Sequence, residues 1–385
     1  MSVRVLVAGV STRAIAESAA RAGFDVVGLD AFADRDQHPA VRAFSVSRDF
    51  HFAFSATAAA RAAKTIDCDA VAFTSPFENH VRAVEAIARG RRLWGNAPST
   101  LRAVRDPVQL ATTLRRHGLA APAVRVSPAA QGQWVVKPFA SGGGHRVQRW
   151  HSGARLPRGR YLQQFLEGIP GSIVFVAARR RAVPLGVSRQ LVGDRRFGAA
   201  GFRYCGSVLA PMGDLHFARG ARLLQSACAI AAFVAREFDL VGINAIDFIA
   251  RDGVAHAIEV NPRWSASVEL IERAFGVATF AAHAHACVDG VLARFDLRAA
   301  FCQLSRAVGK AIVFAREDLV AGDTSGWMLR GDVRDVPNPG DRIAAGHPIC
   351  TVFAEGRDSK ECEAGLVTAA NWIYEHTRLW EQRIA

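Results

Sequence analysis

Lysine is almost missing from this 385-residue chain: only Lys64, Lys137, Lys310 and Lys360 occur, so arginine carries nearly all of the formal charge of +13. The arginines are scattered (Arg13, Arg61, Arg102, Arg158, Arg222, Arg298), with short clusters only at Arg91-Arg92 and 179–181. A nucleic-acid footprint would gather charge on one stripe with stacking aromatics. The scatter therefore argues against a nucleic-acid partner and leaves anionic small molecules. Seven cysteines, an odd number and widely spaced, form no C-x-x-C pair, which argues against a disulfide framework and a zinc site and for a reducing compartment. No apolar run approaches the length that crosses a membrane, and the first strand lacks the longer apolar run of a signal peptide. The expectation is a cytoplasmic protein without a membrane partner. There is no G-x-G-x-x-G and no repeat of 20–50 residues.

Half of the residues are apolar and 22% are charged, the balance of a folded globular enzyme. The length suggests two or three domains. Val3–Ala8, the helical segment 13–22 and Phe24–Leu29 have the strand–helix–strand spacing of a doubly wound parallel sheet. The loop Gly9-Val10-Ser11-Thr12 precedes a helix and has the geometry to hold an anion, or to cap the helix through Ser11 or Thr12. A further strand, Ala70–Thr74, runs into Ser75-Pro76-Phe77-Glu78. Ligands of such sheets bind beyond the carboxyl ends of the strands, so this loop is expected to wall a substrate site.

Further on, Trp134–Phe139 is an apolar strand ending in Lys137-Pro138, followed at once by Ser141-Gly142-Gly143-Gly144-His145. A lysine here could snorkel from a strand end, and a glycine loop alone is usually a turn. Coupled four residues apart, the two point to phosphate, because successive glycines free backbone N–H groups to form an anion nest. Ser172–Ala178 and Pro184–Gln190 read as an antiparallel meander, and 220–238 and 277–292 as helices. His283 and Cys287 share a face of the second helix without further metal ligands. From Lys310 onward, short strands and turn dipeptides predict a small β-rich unit, with strands at Ala311–Ala315, Trp327–Leu329 and Ile349–Phe353 and a closing helix.

The stretch Gly242–Arg263 reads as a hairpin, Ile243–Ala250 and Val254–Val260 around Arg251-Asp252-Gly253. Glu259 and Asn261, two apart, share a face. A three-residue turn sets Asp247 opposite Ala257, diagonal to Glu259 with Cβ atoms roughly 7–8 Å apart. A two-residue turn would send Asp247 to the other face. In the first register two carboxylates and an amide oxygen converge, a hard-oxygen set suited to Mg²⁺ shared with nucleotide phosphates. The plain alternative is a half-buried hairpin whose polar face meets water.

These pieces stand in the order seen in the ATP-grasp superfamily of carboxylate–amine ligases, which the chain resembles from about Val3 to Asn261 and beyond. The resemblance implies an α/β architecture in four parts. A Rossmann-like, doubly wound parallel-sheet domain (1–98) precedes a two-part ATP clamp, whose first half holds the glycine loop (99–168) and whose second holds the metal site (169–305). A small β-rich unit (306–385) follows. It further implies that Lys137 contacts the phosphates of ATP, that Ser141, Gly142, Gly143 and Gly144 close over them, and that Gln164, Phe165 and Leu166 form the adenine hinge with Glu167 nearby. Asp247, Glu259 and Asn261 would hold Mg²⁺, and Arg263 would steady the transferred phosphoryl group. Ser265 and Ser267 sit where related ligases hold a substrate carboxylate.

Two positions depart from the family. Where an upstream lysine packs on the α-phosphate side, the nearest match is Arg105, whose fork differs from a point charge. The arginine that D-alanine ligases carry two residues before the first metal carboxylate is Ala245 here, which makes Arg189 the candidate oxyanion stabiliser. Among subgroups, Ser11-Thr12-Arg13, Asp30–Asp34, Gln164–Ser172 and the 350–355 tail look like tyramine–glutamate ligases of methanofuran biosynthesis and their relatives in methylotrophic bacteria. The implied reaction joins a small-molecule carboxylate, an amino acid such as glutamate, to an amine. Dimers are common in the superfamily, so a homodimer is one expected assembly. Competing readings are a catalytically silent ATP-binding regulatory module and an NAD(P)-dependent oxidoreductase built on the first domain.

Overall fold

The computed structural model describes residues 3–128, 131–151, 153–214 and 216–381. Its first sheet forms because short, largely apolar strands are joined by crossovers, most of them helical, the pattern that buries both faces of a parallel sheet. Strands β1 (Arg4–Ala8), β2 (Asp25–Asp30), β3 (Val41–Ser45), β4 (Ala70–Phe73) and β5 (Arg92–Leu93) lie in the order β3-β2-β1-β4-β5, all parallel. The direction of winding reverses between β1 and β4, and a crevice opens at their carboxyl ends. Gly9 and Thr74 close its floor: a Cβ on Gly9 would lie 1.8 Å from Thr74 Oγ1.

In the loop after β1, the donors of Thr12 are already engaged. Asp30 Oδ2 accepts from both the backbone N–H and the hydroxyl of Thr12, each at 2.7 Å, so an internal carboxylate takes the donors that an external ion would need. Neither Ser11 nor Thr12 caps the helix Arg13–Arg21 through its side chain.

A second, four-stranded antiparallel sheet comprises β6 (Val124–Arg125), β7 (Trp134–Pro138), β8 (Gln148–Arg149) and β9 (Arg160–Gln164), in the order β6-β9-β7-β8. The third sheet is the largest. It contains β10 (Ile169–Ala178), β11 (Arg181–Val192), β12 (Tyr204–Leu209), β13 (Gly242–Arg251), β14 (Val254–Asn261) and β15 (Ala307–Phe314). A two-stranded ribbon of β16 (Leu319–Val320) and β18 (Arg342–Ile343) flanks it, and β17 (Val333–Arg334) and β19 (Pro348–Gly356) complete it, in the order β14-β13-β10-β11-β12-β15-β19-β17.

The carboxy-terminal strands thus continue the third sheet, because β15 pairs with β12 from Gly206↔Ala311 to Leu209↔Val308. One segment expected as a strand, Trp327–Leu329, instead lies at the short helical turn Ser325–Met328. There Trp327 is buried against Trp380, ring centroids 5.1 Å apart, and against Trp372 at 5.9 Å. Burying a ring of that size outweighs the local strand preference. The partner tryptophans come from the closing helix Ser359–Glu381, which packs on β15 and β19.

His283 serves packing. It is buried, its Nδ1 accepts from Ile243 N–H at 2.9 Å and its Nε2 lies 3.1 Å from the Trp94 carbonyl. Burial lowers its pKa to about 4, which keeps the ring neutral, as this donor–acceptor pairing requires. Among the described residues no helix is long and apolar enough to cross a membrane, and the seven cysteines are free.

Candidate functional site

The hairpin β13–β14 turns through Asp252 (φ 52°) and Gly253 (φ 75°), a two-residue loop with both residues left-handed, which fits a type I′ turn. Arg251 therefore pairs with Val254 and Phe248 with Ala257. The three-residue turn expected from the sequence is not the one formed. Left uninterrupted, the observed register would put Asp247 and Glu259 on opposite faces. A β-bulge at Ile258 prevents this. The extra residue moves the pairing on by one, and Asp247 stands directly opposite Glu259, with Ala245 opposite Asn261. The two carboxylates meet as cross-strand partners, closer than the diagonal relation anticipated.

This face of the third sheet forms one wall of a cavity of about 880 Å³, and the second sheet with its glycine loop forms the other. Val135 and Lys137 project from β7, and Gln163 from β9. Lys137 is buried, and its Nζ reaches Gln163 Oε1 at 3.2 Å. Gln163 Nε2 in turn donates to the Ile258 carbonyl at 3.0 Å, so the bulge that orients Glu259 is tied to the strand carrying the lysine. Ser141, Gly142, Gly143 and Gly144 line the same cavity, as do Gln164, Phe165 and Leu166. The loop docks across the cleft: Gly143 O accepts from Tyr204 N–H at 3.0 Å. Gly144 (φ 72°) passes so near β12 that a Cβ there would lie 1.7 Å from Phe202 O.

Electrostatics follow from this crowding. Burial, then the facing Glu259, push the Asp247 carboxyl up to about 6, against hydrogen bonds from Ser172 and Asn261. Burial also disfavours charge on Glu259, but Arg105, Lys137 and Arg263 hold its pKa below the ordinary value. Lys137 loses solvation as well, yet Tyr161, Glu259 and Asp247 keep its pKa raised. Asp247 Oδ2 accepts from Asn261 Nδ2 and Oδ1 from Gln190 Nε2, both at 2.9 Å. Arg263 Nη2 donates to Asn261 Oδ1 at 3.1 Å and lies 2.8 Å from the carboxylate of Glu78, a side chain with no solvent exposure. Ser265 and Ser267 continue the cavity wall beyond Arg263.

Three expected site residues are not brought to the cavity. Arg189 points to the opposite face of β11, where it pairs with Glu363 of the closing helix. The cause is the two-residue period of a strand: Ser188 reaches toward Ser267 and Gln190 toward Asp247, so the residue between them must face away. Arg105 stands behind the site. Its guanidinium bonds Glu259, the Val260 carbonyl at 3.0 Å, Asn79 Oδ1 at 2.8 Å and the Ser141 carbonyl at 3.0 Å. It braces Glu259 and the start of the glycine loop, with no lining position of its own. Glu167 is exposed and outside the lining.

Conversely, Glu78, Asn79, Gln163 and Gln190 were not anticipated as individual residues. Their partners lie 185, 26, 26 and 57 positions away, and only tertiary structure reveals such pairings.

Residues 104–267 match the family described as ATP-grasp domain. Over that stretch the chain is similar to ATP-grasp domains. Comparison with solved structures agrees on the fold. L-amino acid ligase from Bacillus licheniformis superposes with a TM-score of 0.66 at 15% identity, over 95% of this chain and 96% of that one. N5-carboxyaminoimidazole ribonucleotide synthetase from Thermotoga maritima gives 0.65 at 13%, over 96% and 98%. Biotin carboxylase from Campylobacter jejuni, in a β-γ-ATP complex, gives 0.68 at 13%, over 94% and 89%. In sequence, an uncharacterized protein of Methanocaldococcus jannaschii is 26% identical over 150 residues, 39% of this chain and 33% of the relative, so the match spans about a third of that protein.

Proposed function

We propose that the protein is an ATP-dependent, ADP-forming carboxylate–amine ligase that makes an amide through an acyl-phosphate. The observation that carries the reading is the half-buried Asp247–Glu259 pair beside Lys137, at one end of a cavity that runs on past Arg263, Ser265 and Ser267. The family match and the ligases among the structural neighbours support it.

Asp247, Glu259 and Asn261 fit a divalent ion. Among the described residues no group of three or more His, Cys, Asp or Glu side chains is placed to hold a metal ion by itself, but Mg²⁺ uses one or two carboxylates and completes its shell with phosphate oxygens and water. A carboxyl pushed up to about 6 by burial and by the facing Glu259 marks a place where positive charge is favoured. Bound there, the ion would offset charge on the nucleotide's phosphates. Lys137 and the backbone N–H groups of 141–144 would hold the phosphates, and the apolar wall of Val135, Ile249 and Ile258 would exclude water.

An oxygen of the substrate carboxylate attacks the γ-phosphorus as the bond to the β-bridging oxygen breaks, and ADP leaves. Arg263, held by Glu78 and Asn261, faces the charge that develops on the phosphoryl oxygens. The amine nitrogen then attacks the acyl carbon, the carbon–oxygen bond to phosphate breaks, and inorganic phosphate leaves as the nitrogen gives up its proton. Ser265 and Ser267 are the proposed hydroxyl contacts for the acid. An amino acid is the proposed acid, and glutamate is the member implied by the resemblance to tyramine–glutamate ligases of methanofuran-type cofactor biosynthesis.

ADP release with Mg-ATP and a panel of amino acids and amines tests the reading. Substrate-dependent release is expected, lowered on the order of 10²–10³-fold by Lys137→Ala, the scale of losing one charged stabiliser. Tight ATP binding without ADP across the panel would instead mark a regulatory module.

The loop gives a second test. Gly144→Ala meets both a left-handed φ and the Phe202 carbonyl, at about 1–3 kcal/mol of strain. We expect the KM for ATP to rise about ten- to hundred-fold with the melting temperature nearly unchanged, because the loop is surface chain. An unaltered KM would remove the loop from the nucleotide site.

A further inference from the structure

The far end of the cavity, between the crevice of the first sheet and the carboxy-terminal strands, has its own charge arrangement. Asp30, Asp34, Asp36, Glu269 and Asp335 crowd there with two cations, Arg13 and Lys310. Each carboxylate but one has partners. Asp30 accepts from Thr12 and from the N–H groups of Phe32 and Ala33. Asp36 accepts from the N–H groups of Asp335 and Val336. Asp335 takes Arg13 Nε at 2.7 Å, and Glu269 takes Arg13 Nη2 at 2.7 Å and Lys310 Nζ at 2.6 Å. These contacts commit both cations. Asp34 remains: it is 6% exposed, it lines the cavity, and its buried Oδ2 has no hydrogen-bond partner.

A buried carboxylate oxygen without a donor costs on the order of 1–3 kcal/mol or more, which a ligand bringing both donor and positive charge would recover. The surrounding wall is apolar: Phe32, Ile312, Ile343 and Ile349. We propose that this end of the cavity binds a primary amine, its ammonium group on Asp34 and its apolar body against those four side chains. The site rests on the ligase reading in one respect, that this amine is the one the ligation consumes. Burial and the neighbouring Asp335, Asp30 and Asp36 raise the pKa of Asp34, so its carboxylate is disposed to take a proton from the bound ammonium, which frees the nitrogen lone pair for attack on the acyl carbon.

Calorimetry on the full chain tests the site without turnover, using butylamine and phenethylamine against the uncharged 1-butanol and 2-phenylethanol. The amines are expected to bind wild type at least tenfold tighter than the alcohols, and Asp34→Asn to erase that preference. Equal binding of amine and alcohol to wild type, no binding of either amine, or an undiminished preference in Asp34→Asn would each overturn the site; the first two need no variant to fold.

Turnover separates this proposal from the reading beneath it. Hydroxylamine, uncharged near neutral pH, traps an acyl-phosphate without needing a counter-charge. In Asp34→Asn, kcat/KM for the amine is expected to fall at least tenfold relative to that for hydroxylamine. A constant ratio overturns Asp34 as the amine's partner, whereas wild type that binds amines but yields neither ADP nor hydroxamate overturns the ligase and leaves the amine site standing.

Discussion

Glu259→Gln is expected to leave a folded protein with ATP-dependent turnover lowered by about 10³-fold, while Glu259→Ala loses fold stability as well. Glu259 faces Asp247 across the hairpin, holds Arg105 through an ion pair and lies beside Lys137. Glutamine keeps the volume and still offers a carbonyl to Arg105, so the packing around the bulge survives. It removes the charge that a divalent ion and Lys137 both answer, and losing a preorganised charged group at phosphoryl transfer costs roughly 3–4 kcal/mol of barrier. Alanine removes the acceptor too, leaving Arg105 without its carboxylate partner and Lys137 with only Asp247 as a nearby carboxylate. Breaking a buried pair by deleting one partner costs about 3–5 kcal/mol. Urea denaturation and ADP release measured on both variants separate the effects. If Glu259→Gln turned over like wild type, Glu259 would have no part in the chemistry.

Much of this site was legible from local spacing, and the failures have local reasons too. Lys137 followed by Ser141–Gly144 needed only the chain order, because a strand end and the loop after it stay together. The meeting of Asp247 with Glu259 was anticipated through a register that does not occur. The Asp252-Gly253 pair forms a tight two-residue turn, and the bulge at Ile258 restores the common face. A bulge leaves little trace in sequence when its residue is an ordinary isoleucine. Arg189 failed on the period-two rule: Ser188 and Gln190 take the cavity face, so it cannot share it. Glu78 illustrates a different blindness. The loop after β4 was expected to wall the site, and Thr74 and Ser75 do line it, but a fully buried glutamate answering Arg263 across 185 residues is a tertiary fact. Arg13 was counted only as one of the scattered arginines, and it is 1% exposed. Composition gives no sign of which arginine a fold will bury.

That arginine carries the largest stability effect we expect. Arg13 reaches Asp335 and Glu269 at 2.7 Å, Glu17 at 3.1 Å and Asp36 at 3.6 Å, joining the first helix to the helix Val268–Phe275 and to the segment after β17. Arg13→Met preserves much of the volume and removes the charge, leaving Lys310 as the remaining cation for a buried acidic group. The cost is about 3–5 kcal/mol at neutral pH, read as a fall in the urea midpoint. The pH dependence of these two carboxyls should also reverse. In wild type, burial opposes ionisation of Glu269 and Asp335, yet Arg13 holds both carboxyls below their ordinary values. Their contribution is therefore full above the unfolded carboxylate range near pH 4 and is lost only as pH falls through the depressed folded values. Without Arg13, burial and mutual repulsion raise the folded values above the unfolded ones, so stability is lost as pH rises and regained on acidification. Asp34 and Asp247, whose carboxyls are raised, lower the stability of both proteins as pH rises, so the expected signature of Arg13 is a stability gap between wild type and Arg13→Met that is wider at pH 8 than at pH 5. Parallel profiles for the two proteins would mean that Arg13 does not neutralise this cluster.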